Sequence, residues 1–241
     1  MRAALAAGAP VESVYVGAEG AGDPMVADLA AKAADRGIRV HDLAPGVLAR
    51  VADTVTPQPL LAVVGMVDRP PAALAGGRLV VVLAEVRDPG NAGTVLRSAD
   101  AAGADGVVFA GSTVDPYNPK TVRSSAGSIF HVPLVVCPPR QDVLSVVAGY
   151  RRLGAVVRGG TDYTDVDWLV PTALVLGNES AGLDAALAER LDGTVGIPMA
   201  GLAESLNVGV ASAVLCFEAL RQRRAAGGVG SSMPGMPGGN R

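Results

Sequence analysis

Residues 79–99 read LVVVLAEVRDPGNAGTVLRSA, and this stretch decides which class of fold the chain adopts. The continuous apolar run over Leu79–Val86 predicts a strand buried on both faces, and we expect Thr94–Ala102 to form the helix that follows it. The polar loop between them lacks the third glycine of the dinucleotide-binding fingerprint, and the sequence contains no P-loop. The stretch therefore predicts one strand-helix step of an α/β sheet without naming a ligand.

The same alternation of strands and helices continues along the chain. Further strands are expected at Gly106–Phe109, Val132–Val136, Ala155–Val157, Ala173–Leu176 and Gly193–Ile197, and further helices at Thr121–Ser128, Val143–Leu153, Gly182–Leu191 and Ser205–Arg224. Continuous Val and Leu runs that alternate with helices are typical of a buried parallel sheet with helices on its faces. We therefore predict an α/β domain over residues 79–226.

A smaller α/β unit is predicted ahead of this domain, over residues 1–67. Its expected strands are Val11–Val16, Ile38–His41 and Leu60–Val67, and its expected helices are Pro24–Arg36 and Gly46–Ala52. Proline and glycine without periodicity mark residues 68–78 as a linker. Residues 227–241 are rich in glycine and proline and contain little apolar material, so we expect a disordered tail there.

The composition limits how the chain can bind nucleic acid. Hydrophobic residues make up 49% of the 241 residues, enough for a core, and the net charge is -3 with a sequence pI of about 5.4. This balance argues against a strongly basic, nonspecific nucleic-acid binder, although it leaves room for a local basic face. With only 3% aromatic residues, contacts to phosphate and sugar are expected to outweigh base stacking.

Cysteine and histidine are too few and too scattered for a metal site or a nucleophile system. Cys137 and Cys216 lie far apart in apolar surroundings, and the two histidines are His41 and His131. No zinc spacing and no Ser-His-Asp or Cys-His arrangement can be assembled from them. Reduced thiols, no signal pattern and no apolar run of roughly 18 residues predict a soluble, cytoplasmic protein without metal or membrane.

Three separated segments place polar residues where apolar strands end, which is where α/β proteins build their sites. They are NAGTVLRSA at 91–99, LGNESAGL at 176–183, and IPM at 197–199 with ESLNV at 204–208. In this order and spacing they resemble the three motifs of the SpoU (TrmH-like) class of SPOUT methyltransferases, from about residue 79 to residue 224. The resemblance implies a parallel-sheet SPOUT fold with a C-terminal trefoil knot, and a homodimer with the knot region at its interface.

The resemblance also implies S-adenosylmethionine as the cofactor and methyl transfer to a ribose 2′-hydroxyl of structured RNA. It places cofactor contacts at Gly177, Ile197, Met199 and Leu206, and catalytic or pocket-shaping roles at Asn91, Arg97, Glu179, Ser205 and Asn207. The cofactor-binding residue types fit this reading. Gly177 has no Cβ, so its backbone could approach a flat ligand, while Ile197 and Leu206 could hold an adenine between apolar surfaces.

The polar residues of the motifs also have plainer interpretations. Ser205 and Asn207 are ordinary N-cap residues for the final helix, a role that is compatible with a place in the site. Glu179 could be a solvated turn acid, or it could hold a neighbouring loop or an arginine. Asn91 can donate and accept hydrogen bonds at once, which suits it to orient a ribose or a catalytic side chain.

Arg97 is the motif residue whose position most favours a function. We expect it in the first turn of its helix, where the helix dipole disfavours a cation. In the resembling family this arginine is proposed to bind RNA phosphate and to activate the 2′-hydroxyl. Because the guanidinium pKa exceeds about 12, we assign Arg97 to orienting the hydroxyl and stabilising the forming alkoxide. The identity of any general base stays open.

Two further parts of the chain are expected to contact RNA. Asn118–Ser128 is a basic, hydroxyl-rich helix start in which Lys120 and Arg123 suit phosphate, although a simple capped helix is the plainer interpretation. The front unit resembles a ribosomal-protein-like RNA-binding domain. That domain normally opens with a strand, whereas Met1 here is expected inside the first helix, which indicates a mis-assigned start codon or a shortened RNA-binding module.

These observations lead to one main hypothesis and three alternatives. The main one is S-adenosylmethionine-dependent methylation of a ribose 2′-hydroxyl in ribosomal RNA. The alternatives are a transfer RNA 2′-O-methyltransferase, a catalytically silent RNA-binding relative, and a nucleotide-dependent oxidoreductase. The oxidoreductase requires a dinucleotide fingerprint that the sequence lacks, and a silent relative would have little reason to keep the full set of motif residues.

Overall fold

The computed structural model describes residues 1–51, 58–138 and 141–227, which contain two β-sheets. The N-terminal unit is built from α1 (Arg2–Ala6), β1 (Val11–Gly17), α2 (Pro24–Ala34), β2 (Arg39–Leu43), α3 (Val47–Val51) and β3 (Leu60–Val64). Its three strands lie in the order β2-β1-β3, with β2 parallel and β3 antiparallel to the central strand. These bounds agree with the predicted front elements to within a few residues, except that residue 52, the last of the predicted helix Gly46–Ala52, lies outside the described residues.

Helix α2 shows why these elements begin and end where they do. Asp23 caps the helix by accepting hydrogen bonds from the amides of Met25 (2.8 Å) and Val26 (3.4 Å), and Pro24 occupies the first helical position. Gly37, at φ +74°, then turns the chain into β2. The helix covers the sheet through buried Val26 and Ala33, and Val14 of β1 is completely buried.

The second unit contains the larger sheet. Its elements are β4 (Leu79–Ala84), α4 (Pro89–Ala101), β5 (Gly106–Ala110), α5 (Pro119–Ser124), β6 (Leu134–Val136), α6 (Val143–Val146), β7 (Arg151–Val156), β8 (Thr161–Asp162), β9 (Thr172–Leu176), α7 (Ala185–Ala188), β10 (Gly193–Gly196) and α8 (Val208–Ala226). The strand order is β6-β5-β4-β9-β7-β10-β8, and every pairing between these strands is parallel. The predicted α/β fold with a buried parallel sheet is confirmed.

The core lies on both faces of this sheet because β4 and its neighbours are buried on both sides. All six residues of β4 are buried, and alternate side chains enter two separate clusters. On one face Leu79, Val81 and Leu83 pack with residues of α4 and α8; on the other, Val80 and Val82 pack with the residues around Tyr150. The central strand is therefore a rigid base for the loop that follows it.

Two of the helices in the second unit are much shorter than predicted. Val143–Leu153 forms a helix only over Val143–Val146, and Arg151–Val156 is a strand that pairs with both β9 and β10. Gly182–Leu191 forms a helix only over Ala185–Ala188, because Gly182 closes a small bridge with Asn178 and Asp184 caps the later start. In the first place strand pairing outweighs local helix propensity, and in the second a tight turn and the Asp184 cap delay the start of the helix.

The predicted linker contains packed structure. Pro71–Leu74 forms a 3₁₀ helix, and Leu74 is only 2% exposed because it packs in the core beneath the sheet. The sequence did not predict this helix because a single buried leucine produces no periodic pattern of apolar residues. Of the predicted tail, residues 228–241 lie outside the described part of the chain. Within that part, no helix combines the length and apolar character that a membrane crossing requires.

Candidate functional site

The three motif segments meet at one edge of the larger sheet. One motif lies in the loop after β4 and the start of α4, the second follows β9, and the third follows β10. Because β4 and β9 are parallel neighbours, their carboxyl ends lie side by side and bring the first two motifs into contact. The third motif joins them through the start of α8, which packs against α4.

The carboxylate of Glu179 connects the second motif to the first. It accepts hydrogen bonds from the side-chain amide of Asn91 (3.1 Å) and from the backbone amides of Asp88 (3.0 Å) and Arg87 (3.3 Å). Partial burial by itself raises the pKa of the Glu179 carboxyl, but these hydrogen bonds outweigh it and lower the pKa below its usual value. Glu179 is therefore an ionised group that holds the loop after β4 in place.

Asn91 carries the connection on to the third motif. Its side-chain oxygen accepts a 2.7 Å hydrogen bond from Nδ2 of Asn207, while its own amide group donates to Glu179. Asn207 is the N-cap of α8, and its Oδ1 accepts from the amides of Gly209 (2.9 Å) and Val210 (3.4 Å). The predicted capping role of Asn207 is confirmed, and the chain Glu179-Asn91-Asn207 joins all three motifs.

Asp88 and Asn178 belong to this framework although the sequence reasoning missed them. Asp88 caps α4 through the amide of Asn91 (2.8 Å), and Lys120 Nζ lies 3.4 Å from its second oxygen. The hydrogen bond from Asn91 lowers the pKa of Asp88; burial opposes this shift and the charge of Lys120 adds to it. The Asp-Pro pair ahead of a helix is a sequence signal that could have revealed this cap.

Asn178 holds an unusual backbone conformation at the end of the central strand. Its side-chain amide donates to the carbonyl of Glu85 (3.1 Å), and its Oδ1 accepts from the amides of Ser180 and Ala181, each at 3.0 Å. Glu85 has φ +69°, a left-handed conformation that side chains rarely adopt. Such strain is common at functional sites, where the surrounding structure enforces it.

A pocket of about 550 Å³ opens beside this framework. Its walls include all four predicted cofactor-binding residues and two of the predicted catalytic ones, namely Gly177, Ile197, Met199, Leu206, Glu179 and Ser205. Ser205 precedes α8 and does not cap it. A second cavity of about 650 Å³ adjoins the pocket and shares its Ile197 and Met199 walls.

Gly177 lies in the pocket wall for a different physical reason from the predicted one. A Cβ at this position would lie 2.4 Å from the backbone of Gly182 and 2.6 Å from the nitrogen of Leu183. The missing side chain therefore makes room for the turn that returns from Gly182, rather than for a ligand. That turn is closed by two backbone hydrogen bonds between Asn178 and Gly182, of 2.8 and 2.9 Å.

The basic residues occupy α4 and the neighbouring helix α5. Arg97 is exposed in the middle of α4, because the helix begins at Pro89 and not at Thr94. The predicted first-turn position is wrong, so the helix dipole gives no reason to assign Arg97 a function. Lys120 and Arg123 lie on α5, and the ion pair of Lys120 with Asp88 brings α5 next to the start of α4.

No cluster of histidine, cysteine and acidic residues that could hold a metal occurs within residues 1–51, 58–138 and 141–227. The two cysteines are buried. The arrangement at the carboxyl edge thus consists of an apolar-walled pocket, an ionised carboxylate in a hydrogen-bonded framework, and exposed cations on two adjacent helices. Such a site can hold an organic ligand beside a polyanion.

Comparisons with known proteins agree with this arrangement. The SpoU rRNA Methylase family profile matches residues 78–217, and a profile described as RNA 2′-O ribose methyltransferase substrate binding matches residues 2–70. The 23S rRNA (guanosine(2553)-2′-O)-methyltransferase RlmP of Bacillus subtilis is 42% identical over 185 residues, which are 76% of this chain and 73% of the relative.

Two further matches involve Streptomyces viridochromogenes. Its 23S rRNA (uridine(2479)-2′-O)-methyltransferase is 45% identical over 142 residues, which are 56% of this chain and 50% of the relative. The structure of the SpoU methyltransferase AviRb from the same organism, in complex with AdoMet, matches with a TM-score of 0.80 and 35% identity, covering 92% of this chain and 86% of that one. The chain belongs to the SpoU rRNA methylase family and has the SPOUT methyltransferase fold.

Proposed function

We propose that the protein transfers a methyl group from S-adenosylmethionine to a ribose 2′-hydroxyl of ribosomal RNA. The observation that carries this proposal is the pocket of about 550 Å³ beside the Glu179-Asn91-Asn207 framework. Family membership supports it, as do the names of two relatives, both 23S rRNA 2′-O-methyltransferases. Those relatives act on a guanosine and a uridine respectively, so their names leave the target base of this chain open.

The pocket suits an adenosine-containing cofactor. Its volume lies within the roughly 300–1,000 Å³ that is usual for small-molecule sites. Ile197 and Leu206 supply apolar walls for the flat adenine. The backbone of residues 177–183 supplies polar groups that can form hydrogen bonds with the polar edge of the adenine. When bound, S-adenosylmethionine supplies a methyl group on a positively charged sulfur.

Glu179 acts in this proposal as a positioning residue. Its carboxylate already accepts three hydrogen bonds, and its lowered pKa makes it a weak base. It is therefore poorly suited to take the proton of a ribose hydroxyl. Its contribution is to lock the loop after β4 against the loop after β9, so that the pocket is formed before RNA arrives.

The exposed cations contact the RNA. Arg97 on α4 orients the reacting ribose and stabilises the negative charge that develops on its 2′-oxygen. Lys120 and Arg123 on α5 bind the phosphates on either side of this ribose. Because phosphate contacts set the register of the nucleic acid on the protein, they place the ribose opposite the pocket. A ribosomal RNA substrate also implies that the protein works in the cytoplasm.

We also propose that the protein works as a homodimer. Helix α8 exposes Val210 and Phe217, each 47% exposed and seven residues apart on one helix face. An exposed apolar face of this kind, next to the third motif, is suited to an interface with a second copy. The trefoil knot stays a prediction from the resemblance to the family.

Calorimetric titration with S-adenosylhomocysteine tests the cofactor assignment. We expect saturable binding, and a Leu206→Ala variant should bind at least several-fold more weakly because the pocket loses an apolar wall. Leu202→Ala is the matched control, since Leu202 belongs to the same loop but is fully exposed outside this pocket. Wild-type protein that binds no S-adenosylhomocysteine would refute the methyltransferase assignment and favour a silent RNA-binding relative.

Methylation assays test the substrate. Transcripts of 23S ribosomal RNA are expected to accept tritiated methyl groups, whereas transfer RNA transcripts are expected to accept none. Alkali-resistant dinucleotides in the product would show that the 2′-oxygen is the acceptor. Preferential methylation of transfer RNA would overturn the ribosomal assignment and leave the reaction type intact.

A further inference from the structure

Tyr117 lies on the loop between β5 and α5. Its hydroxyl group makes all of its hydrogen bonds to the joining segment, residues 67–69, which connects the two units. The hydroxyl donates to Oδ1 of Asp68 at 2.7 Å, and it accepts from the backbone amides of Val67 and Asp68, each at 2.9 Å. A phenol has one proton to donate and two lone pairs to accept with. All three are satisfied by two consecutive residues of the joining segment.

The joining segment is fixed to the second unit at three successive residues. Val67 packs against the core of that unit, Asp68 binds Tyr117, and the amide of Arg69 donates to the carbonyl of Leu134 in edge strand β6 at 2.7 Å. Two residues earlier, Gly65 still belongs to the N-terminal unit, because its amide donates to the carbonyl of Pro10 at 2.9 Å. Only a few residues therefore separate the two units.

The loop that carries Tyr117 is itself tied to the functional site. The amide of Val114 donates to the carbonyl of Val86 at 2.9 Å, immediately before the loop that Glu179 holds. Tyr117 is followed directly by Asn118, the N-cap of α5, which accepts from the amide of Lys120 at 2.9 Å. These contacts do not involve the Tyr117 hydroxyl, so they hold the loop in the second unit independently of the bond to Asp68. Loss of the hydroxyl should therefore release the joining segment and leave the site and α5 in place.

A second contact between the units lies at the other end of α5. Gly127 adopts φ +100°, and a Cβ there would lie 2.5 Å from the Cβ of Ala3 in α1. The joining segment therefore contacts the second unit near residue 117, and the N-terminal unit itself contacts it near residue 127. Helix α5, which carries Lys120 and Arg123, lies between these two contacts along the chain.

We infer that the Tyr117 hydroxyl is a positioning group that holds the N-terminal unit in one orientation beside α5, so that RNA bound by that unit is presented to the pocket. Burial, with a further contribution from the hydrogen bond to Asp68, raises the pKa of Tyr117 to about 12. The hydroxyl therefore keeps its proton over the whole working range of pH. The presentation of RNA to the pocket rests on the proposed function, whereas the fixed orientation of the N-terminal unit does not.

Distance measurement between spin labels tests the orientation directly in the full chain. Lys32→Cys on α2 and Ala101→Cys at the end of α4 place labels on exposed positions of the two units, and the native cysteines are buried. We expect one narrow distance distribution in this background and a broader one after Tyr117→Phe. Tyr163→Phe is the control, because Tyr163 is a half-buried tyrosine packed within the second unit. An equally narrow distribution after Tyr117→Phe would overturn the inference.

Kinetics test whether the orientation serves the reaction. Tyr117→Phe removes all three hydrogen bonds of the hydroxyl. It should raise the KM for a ribosomal RNA fragment by at least roughly fivefold, the size expected for one hydrogen bond, without changing kcat or S-adenosylhomocysteine affinity. Asp68→Ala removes only the side-chain hydrogen bond and leaves the two backbone ones, so it should raise the KM less than Tyr117→Phe does. Asp68→Asn, which keeps an acceptor oxygen, should raise it least, and the double variant should show no larger effect than Tyr117→Phe alone. Equal losses of kcat and cofactor affinity would show a general folding defect and contradict the positioning role. If wild-type protein methylates no RNA, the proposed function fails, while the distance measurement still decides the orientation.

Discussion

At the residue scale, the site depends on the ionised carboxylate of Glu179. Its pKa is lower in the folded protein than in the unfolded chain, so its stabilising contribution is present above the ordinary glutamate pKa of about 4.3 and is lost as pH falls through the lower folded value. Glu179→Gln should reduce stability near neutral pH and flatten the acid limb of the stability curve. Urea unfolding from about pH 3 to pH 7 measures this. If the free energy of unfolding fell equally steeply with decreasing pH in both proteins, the prediction would be contradicted.

A second residue-scale prediction concerns Ala126, which follows α5 with φ +51°. An L-residue pays roughly 1–2 kcal/mol for the left-handed conformation, whereas glycine adopts it freely at the cost of more unfolded-state entropy. Ala126→Gly should therefore raise the free energy of unfolding by about 0.5 kcal/mol. Gly127→Ala is the opposite control: it should destabilise the protein, because the Cβ of the new alanine would collide with Ala3. Denaturant midpoints measure both, and destabilisation by Ala126→Gly would be the contrary result.

At the element scale, close packing of α4 on α5 places the cations beside the site. A Cβ on Gly93 would lie 1.9 Å from Oγ of Ser124 and 2.8 Å from its backbone carbon, so rotation of the serine cannot relieve the contact. Gly93→Ala should destabilise the protein by about 1–3 kcal/mol, as overpacking usually does. Gly149→Ala, with no neighbouring atom within 4 Å, is the matched control. Equal unfolding midpoints for the two variants would mean that the helices are not in close contact.

At the scale of the whole molecule, the exposed apolar face of α8 predicts the assembly. Phe217→Arg places a charge where two copies would pack, and because Phe217 is 47% exposed the subunit itself should remain folded. We expect wild type to sediment as a dimer and this variant to sediment as a monomer. Met25→Arg is the control, since Met25 is also exposed and apolar but lies on α2 in the other unit. A Phe217→Arg protein that remains dimeric would place the interface elsewhere.

The individual motif residues show how far pattern reading reached. Asn207 was predicted as an N-cap because a cap depends only on its own helix, and the structure confirms that role. Arg97 was placed in the wrong turn, because the Asp88 cap starts α4 five residues earlier than the apolar pattern indicated. Gly177 was included for a ligand, whereas the space beside it is filled by the returning backbone of Gly182. Both errors arose because an apolar pattern does not show where a polar cap starts a helix or where a turn folds back on the chain.

The sequence by itself determined the α/β class, the parallel sheet and the three motif segments, because burial pattern and helix caps are local properties that each segment carries alone. Only the tertiary structure decided that Arg151–Val156 is a strand, since its partners β9 and β10 lie later in the chain. It also decided that Glu179 binds Asn91 and that Tyr117 binds Asp68. Those contacts exist because parallel strands and a short joining segment bring together residues that no local pattern relates.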